Sequence, residues 1–228
     1  IQQQPFVGAS GKELTTILAQ AGIARNACFF TNVVNEQPKL NEMTDFFYST
    51  AEAKTLKLNP TKGLFPKDNI VRGVEKLKKQ LEAVNPKLVI GLGNYTLWAL
   101  TDYNFSVSNV DKYKVPTGIG NWRGSQLYTS EGLKFLPTYH PAAAMRQWPW
   151  RYDLLHDLKM RVPKALRDDW DAPNYTFQVQ PTFIDVIDRL ERLLSAVKMS
   201  PYSIAVDIET TNNTIACVGI AWSSIDAI

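Results

Sequence analysis

The chain has 228 residues, of which 45% are hydrophobic and 21% charged, and it carries a net charge of +3 with a pI of about 8.8. This length and composition excludes a low-complexity protein and a small domain held by disulfides, because a chain of this kind buries a full core. The mildly basic charge permits a polyanionic partner without requiring one. Cys28 and Cys217 form no C-x-x-C or Cys/His cluster, so there is no zinc signature and a reducing compartment is favoured. No apolar run reaches the roughly 18 residues that a membrane-spanning helix needs.

Predicted helices and short strands alternate along the first part of the chain. Residues 11–22 have apolar side chains at helical spacing and predict a short helix. Residues 28–34 (CFFTNVV) are β-branched and aromatic and predict a strand, whereas the polar residues 36–67 predict a long surface excursion. Residues 68–84 have one apolar face and predict a helix. The apolar run at residues 88–92 is typical of a buried parallel strand.

The alternation of predicted helices and strands continues towards the middle of the chain, where the boundaries between elements are less clearly marked. The elements predicted there are a helix at 95–100, a turn-rich stretch at 103–124, strands at 126–129 and 134–139, and a helix at 150–166 interrupted at Pro163. Helices that alternate with short buried strands predict an α/β domain with a mostly parallel sheet. We therefore expect a first domain over residues 1–166.

The composition changes after this domain. Residues 167–182 are polar and contain proline, which predicts a linker. An amphipathic helix at 183–197 and two strands at 202–210 and 215–223, joined by a Thr-Asn-Asn-Thr turn, predict the start of a second domain over residues 183–228.

Three side chains at the ends of predicted elements suggest chemistry on a nucleobase. Phe6 precedes the first helix, Asn32 lies in the predicted strand, and His140 follows the strand that ends at Tyr139. An enzyme that acts on a base must take the base out of the stack and read its edge. Phe6 offers a stacking face, Asn32 offers one donor and one acceptor, and His140 can stabilise negative charge on the departing base. Each residue alone is also compatible with an ordinary structural role.

The order and local sequence of these segments resemble the family 4 uracil-DNA glycosylases over roughly residues 5–160. The matching segments are P-F-V-G, T-N-V-V and H-P, with residues 88–93 (LVIGLG) and 122–124 (WRG) in support. The resemblance implies a three-layer αβα domain in which Phe6 stacks on a flipped uracil, Asn32 reads it and His140 is catalytic. It also makes Arg123 and a Lys-rich insertion candidates for holding DNA phosphates, although a solvated charged face is the commoner explanation of such residues. The insertion carries Lys54, Lys57, Lys62 and Lys67.

The chain departs from that family at two motifs. The G-E-A-P-G segment that carries the family's catalytic acidic residue is expected just before Pro5, and it is not among the 228 residues. The family often has an iron–sulfur cluster on four cysteines, but Glu36 stands where one of these ligands is expected and no cysteine follows until Cys217. We therefore expect no iron–sulfur cluster. Because the chain starts without Met and ends on an apolar stretch, we expect it to be part of a longer protein.

A second constellation lies near the end of the chain. Asp207 and Glu209 are two residues apart in an apolar strand, so both carboxylates point to one face. Such a pair can share a divalent cation, and phosphodiester hydrolysis commonly uses two metals. The sequence D-x-E-T-T with its returning strand resembles the first motif of the DEDD 3′–5′ exonucleases found in family A DNA polymerases. This resemblance implies that Asp207 and Glu209 bind Mg²⁺ or Mn²⁺ in a site that needs two further Asp-bearing motifs.

Together the two resemblances imply the N-terminal part of a phage-like family A DNA polymerase, with DNA and other replication proteins as partners. We expect it in the cytoplasm of a bacterial or phage-infected cell. In the leading hypothesis the first domain flips, reads and excises a base. Two alternatives stay open, which are a catalytically inactive domain that clamps DNA and a docking domain for replication proteins.

Overall fold

The computed structural model describes residues 5–167, 169–171, 175–197, 203–224 and 226–228. The chain divides into two compact units, Ile1–Trp170 and Asp171–Ile228. No helix among the described residues is long and apolar enough to cross a membrane.

The first unit opens with helix α1 (Ala9–Gln20), as the apolar spacing of residues 11–22 predicts. Leu14, Ile17 and Leu18 are its buried residues together with Gly11. The helix ends where Gly22 takes a φ of +75°, and the N–H of Ile23 donates to the carbonyl of Leu18 at 2.8 Å. A left-handed residue at this place satisfies the last carbonyl groups of the helix, which is why glycine suits it.

The sheet of this unit has three strands in the order β1–β5–β4. The strands are β1 (Val89–Leu92), β4 (Leu127–Tyr128) and β5 (Lys134–Thr138). The apolar runs that predict these strands are therefore confirmed. Strand β1 pairs with β5 in parallel, whereas β4 pairs with β5 antiparallel. The described sheet is thus mixed, and the expectation that it is mostly parallel holds only for its β1–β5 pair.

Helices cover both faces of this sheet. Along β5, Phe135 belongs to one apolar cluster with residues of α3 (Asp68–Val84) and α4 (Asn94–Leu100), and Leu136 belongs to another with residues of α1 and α7 (Pro149–Leu166). Consecutive strand residues point to opposite faces, so this alternation places one core on each side of the sheet. The result is a helix–sheet–helix arrangement.

The predicted strand at residues 28–34 is wrong, because no strand forms there. The segment packs on helix α3 instead. Val33 and Val34 are buried in the same core as α3, and a Cβ placed on Gly73 would lie 2.5 Å from the carbonyl oxygen of Val33. The apolar residues that suggested a strand are therefore buried against helix α3. Gly73 allows this close approach because it has no side chain.

Residues 36–67 are more than the predicted surface excursion. Phe46, Phe47 and Leu64 are fully buried and belong to the core that contains Phe135. A short helix, α2 (Thr50–Thr55), forms within the segment and is held by a capping box between Ser49 and Glu52. These buried apolar residues were not predicted, because most residues of the segment are polar.

Residues 103–124 also differ from the turn-rich prediction. They form an antiparallel hairpin of β2 (Ser106–Val110) and β3 (Tyr113–Thr117), followed by the short helix α5 (Ile119–Trp122). All five residues of β2 are exposed, so the strand lacks the apolar alternation by which a half-buried strand is recognised.

The helix predicted at residues 150–166 is present as α7, but the predicted interruption at Pro163 is wrong. The helix runs from Pro149 to Leu166 without a break. Pro163 lies in its last turn, where the loss of one N–H group costs a single hydrogen bond. The carbonyl of Pro163 still accepts a bond from the N–H of Arg167 at 3.2 Å. The remaining helix of the first unit is α6 (Pro141–Arg146).

The second unit is built around a four-stranded sheet in the order β6–β9–β8–β7. Its elements are β6 (Thr176–Phe177), α8 (Phe183–Val197), β7 (Ala205–Thr211), β8 (Thr214–Ala221) and β9 (Asp226–Ala227). The predicted helix and hairpin are present. Asn212 and Asn213 have φ values of +51° and +60°, as a tight two-residue hairpin turn requires.

Part of the predicted linker is a strand. Thr176 and Phe177 pair in parallel with β9, so residues 167–182 are not all linker. The linker residues 168 and 172–174, and Tyr202 at the start of the predicted strand 202–210, lie outside the described residues.

Candidate functional site

The candidate site lies where β1 and β5 end side by side. Gly93 follows β1, and His140 follows the end of β5 and caps helix α6. The N–H of Gly93 donates to the carbonyl of Thr138 at 2.8 Å. Gly93 has a φ of +88°, and a Cβ there would lie 3.3 Å from the Cβ of His140. The glycine therefore allows the segments that follow β1 and β5 to approach each other at the carboxyl edge of the sheet, where open α/β sheets bind ligands.

The imidazole of His140 is held in one tautomer. Its Nδ1 accepts a hydrogen bond from the backbone N–H of Ala142 at 3.1 Å, within the first turn of α6. Burial, with a contribution from the positive charge of Arg146, lowers the pKa of His140 below its ordinary value. The ring is therefore neutral at neutral pH, and its single proton is on Nε2. Among the described residues nothing hydrogen-bonds to Nε2, so it is available as a donor to a ligand.

Phe6 lies beside this imidazole. The ring centroids of Phe6 and His140 are 5.9 Å apart with an interplanar angle of 31°, and Phe30 contacts Phe6 edge-on at 6.0 Å. The backbone of Phe6 has a φ of +58°, and its carbonyl oxygen accepts a hydrogen bond from Arg25 at 3.4 Å. This carbonyl also approaches Gly11 so closely that a Cβ there would lie 1.7 Å from it. The position of Phe6 is thus fixed by α1 through a glycine.

Asn32 makes no hydrogen bond to this pair among the described residues. Its side chain is exposed, while the neighbours Val33 and Val34 are buried. The hydroxyl of Thr31 donates to Gln80 of α3 at 2.8 Å, which fixes the backbone next to Asn32. Phe30, two residues earlier, is the part of this segment that reaches Phe6. The structure therefore brings Phe6 and His140 together and leaves the side chain of Asn32 exposed to solvent.

The guanidinium of Arg123 is bound to helix α7. Its Nε and Nη2 donate to the two carboxylate oxygens of Asp157 at 3.1 and 2.6 Å, and Nη2 also donates to the carbonyl of Asp153. Asp157 is buried, so this bidentate pair replaces the water that both groups lose. Arg123 therefore holds α7 in this structure, and its contact with a DNA phosphate stays a prediction.

The Lys-rich insertion is likewise partly committed to the fold. The ammonium of Lys62 donates to the carbonyl of Thr101 at 2.6 Å and pairs with Asp102 at 3.1 Å. The ammonium of Lys67 donates to the carbonyl of Asp45 at 2.7 Å. Lys54 and Lys57 are exposed. Two of the four lysines therefore bind backbone carbonyls rather than presenting free charge.

Asp207 and Glu209 lie in β7, opposite Gly219 and Cys217 of β8. Both faces of this strand are exposed, so the apolar residues around these acids are not buried in this unit. No cluster of three or more potential metal ligands exists among the described residues. The two carboxylates are thus a pair without a third ligand in the part of the chain that the structure describes.

The sequence did not single out Asp157, although it organises the site. Thr138 donates to the Oδ2 of Asp157 at 2.7 Å, and a Cβ on Gly124, which has a φ of +70°, would lie 2.6 Å from Oδ1. Burial raises the pKa of the Asp157 carboxyl, and the bonds from Thr138 and Arg123 oppose that rise. The available signal was an acid on the apolar face of a helix, next to Leu154 and Leu158.

The first unit is thus an α/β domain whose aromatic and imidazole rings lie together at the carboxyl edge of a sheet, as suits a planar ligand. The model of the Uracil DNA glycosylase superfamily matches residues 1–159, and the chain belongs to that superfamily.

Individual relatives agree with this assignment. The type-4 uracil-DNA glycosylase of Saccharolobus solfataricus is 29% identical over 73% of this chain and 65% of its own length. The type-4 enzyme of Archaeoglobus fulgidus is 27% identical over 70% of this chain and 67% of its own length. The chain therefore spans about two thirds of these relatives. A DNA polymerase of Bacillus phage SP01 is 26% identical over 100% of this chain and 22% of the polymerase.

Proposed function

We propose that the 1–170 unit recognises uracil in DNA and excises it as a glycosylase. The observation that carries this proposal is the Phe6–His140 pair, with rings 5.9 Å apart and with the imidazole held as the Nε2–H tautomer. A flipped pyrimidine needs an aromatic face and a neutral donor next to a carbonyl oxygen. The type-4 glycosylases to which the chain is similar support the choice of uracil.

Each side chain has a defined part in the proposed reaction. The base leaves the DNA stack and lies against Phe6. The base leaves with the electron pair of the glycosidic bond, while a water adds its hydroxyl to C1′ of the sugar and its remaining proton goes to the departing base. The Nε2–H of His140 donates a hydrogen bond to a base carbonyl, which stabilises the negative charge that develops on the base. The neutral imidazole can make this bond through Nε2–H while its Nδ1 keeps the hydrogen bond from Ala142. Asn32 reads the edge of the base, because its exposed amide has an unused donor and an unused acceptor.

The proposal is tested with the chain carrying its native N-terminal extension, on a single-stranded oligonucleotide that contains one uracil. We expect abasic sites, detected by strand cleavage in alkali, and none with thymine in place of uracil. Asn32→Ala should lower the excision rate, since an unread base is held in fewer productive orientations. Asn35→Ala is the matched control, because Asn35 is also exposed and lies three residues away. Excision that survives unchanged in Asn32→Ala contradicts the assignment of that residue.

A second candidate function is base recognition without excision, in which the unit clamps or reads DNA. One observation favours it: the Asn32 side chain is exposed and makes no hydrogen bond to Phe6 or His140 among the described residues. This function predicts salt-dependent binding of uracil-containing DNA without abasic products. A docking domain for replication proteins predicts no salt-dependent DNA binding.

We further infer that the chain is part of a DNA polymerase with a 3′–5′ exonuclease. The similarity to the phage SP01 DNA polymerase extends over the whole chain, and D-x-E-T-T lies in the second unit. Asp207 and Glu209 are of the hard oxygen donor type that suits Mg²⁺ or Mn²⁺, and such ions activate water for phosphodiester hydrolysis. Two carboxylates alone do not complete a two-metal site. We therefore expect the 228-residue chain to release no nucleotides from single-stranded DNA, and release would contradict the expectation that the site needs further metal ligands.

A further inference from the structure

An exposed aromatic surface follows the helix that His140 caps. Trp148, Trp150 and Tyr152 lie within five consecutive residues at the start of α7, and 58%, 37% and 59% of these residues are exposed. We call these three residues the aromatic surface. Large aromatic side chains bury more area than most others, and a patch of them left in solvent marks an interaction site.

The rings of this surface are held in place by the rest of the unit. Trp150 stacks on Tyr139 with a centroid distance of 4.5 Å and an interplanar angle of 11°. The guanidinium of Arg151 lies 5.3 Å from the ring centroid of Trp148 and is itself bound to Glu13 of α1 at 2.6 Å. Trp148 also contacts Tyr152 edge-on. Because the rings are already fixed, a ligand that stacks on them loses little additional conformational entropy on binding.

Charge and connectivity indicate the kind of ligand. Arg146 is exposed at the end of α6, and among the described residues it has no hydrogen bond or ion pair, so its charge is available to a phosphate. Tyr139, on which Trp150 stacks, is the residue next to His140. The aromatic surface therefore contacts the residue next to His140 of the candidate site, and Arg146 precedes Trp148 by two residues.

We propose that the aromatic surface binds single-stranded DNA, with unpaired bases stacked on Trp148, Trp150 and Tyr152 and a phosphate held by Arg146. This deepens the proposed function, on which it rests, by naming the form of DNA that enters the site. Stacking is tolerant of sequence because every base has a π face, and it requires bases that are not already stacked in a duplex. Several fixed rings beside a cation suit successive unpaired bases.

The test measures the affinity of the 228-residue chain for a labelled oligothymidylate, by fluorescence anisotropy. This probe contains no uracil, so binding does not depend on the base pocket. We expect the double variant Trp148→Ala/Tyr152→Ala to bind about tenfold more weakly, as the loss of a base–aromatic stack implies. Trp148→Phe should retain most of the affinity, because it keeps a ring face. Tyr103→Ala is the control, since Tyr103 is 81% exposed and lies outside this surface.

The outcomes separate this proposal from the proposed glycosylase. A double variant that binds oligothymidylate as tightly as the parent overturns the aromatic surface, and so does a parent that excises uracil but binds only duplex DNA. A parent that binds oligothymidylate through the aromatic surface but yields no abasic sites supports the surface and contradicts the glycosylase. If neither single strands nor duplexes bind, the surface does not bind DNA and the proposal is wrong.

Discussion

The hydroxyl of Thr138 donates to the buried carboxylate of Asp157 at 2.7 Å, and this bond fastens the end of β5 to helix α7. The same carboxylate accepts two hydrogen bonds from the guanidinium of Arg123. Because His140 is only two residues beyond Thr138, the ion pair fixes the backbone from which the imidazole projects. The stability of the site therefore depends on the buried carboxylate of Asp157, which lies outside the Phe6–His140 pair.

Asp157→Asn should lower the free energy of unfolding by about 2 kcal/mol, because hydrogen bonds to charged groups are lost and the Arg123 charge is left without its buried partner. Urea unfolding measures the loss. Asp153→Asn is the matched control, since Asp153 pairs with the same guanidinium at 3.4 Å but is 41% exposed at its side chain. An exposed pair contributes about 0–1 kcal/mol, so the control should change little. Equal losses of unfolding free energy in the two variants would contradict the stabilising role of the buried Asp157 carboxylate.

Gly11→Ala should disturb Phe6, because a Cβ at residue 11 would lie 1.7 Å from the Phe6 carbonyl oxygen. Alanine is otherwise favourable in a helix, so any loss reports the clash. We expect a destabilisation of about 1–3 kcal/mol, as in other overpacked sites. Thermal unfolding gives the loss, and anisotropy with a uracil-containing strand shows whether base binding weakens with it.

The control for Gly11→Ala is Gly120→Ala in α5. A Cβ at residue 120 would have its nearest neighbour, the Tyr139 hydroxyl, at an ordinary distance of 3.7 Å. This variant should fold and bind like the parent. A Gly11→Ala protein that is as stable as the parent and binds equally well would mean that Phe6 is not held through this contact.

Local patterns in the sequence were sufficient for some elements of the fold and insufficient for others. Helices α3 and α8 and strands β1 and β5 are predicted correctly, because their periodicity or apolar run is a property of the segment itself. Residues 28–34 have the composition of a strand but pack on α3, and whether a strand finds a partner is decided elsewhere in the chain.

The candidate site divides in the same way. Phe6 and His140 were identified from short motifs, and the structure brings them together. The family resemblance makes Arg123 a candidate for phosphate binding, and its bond to Asp157, 34 residues away in sequence, is visible only in the fold. A charged side chain with a distant buried partner looks the same in a sequence as one that faces solvent, so the two roles separate only when the fold is known.

Lys62→Ala should lower stability without lowering DNA affinity. The Lys62 ammonium binds the carbonyl of Thr101 and the carboxylate of Asp102, so its removal costs about 1 kcal/mol through the lost hydrogen bond. Lys54→Ala is the control, because Lys54 is exposed in α2 and alanine is a good helix former. Urea unfolding and oligonucleotide binding are measured on both variants. A fall in DNA affinity in Lys62→Ala at unchanged stability would restore this lysine to a phosphate-binding role.

The pH dependence of His140 tests the tautomer on which the proposed chemistry depends. Burial lowers its pKa below the ordinary 6.5, so the folded protein binds fewer protons than the unfolded chain between the lowered pKa and 6.5. The stability contributed by the neutral ring is therefore complete above pH 6.5 and is lost as the pH falls through that window.

His156→Gln leaves a single imidazole, because the chain has two histidines, so its NMR titration reports His140 alone. In that background the ring should titrate below 6.5, and the neutral form should carry its proton on Nε2. Arg146→Gln should raise the pKa of His140, since it removes a cation that opposes protonation. Urea unfolding should show stability falling from pH 7.5 to pH 5, and His140→Gln should remove part of that fall. A ring that titrates above 6.5, or that carries its proton on Nδ1, would contradict the role of His140 as a neutral donor to the departing base.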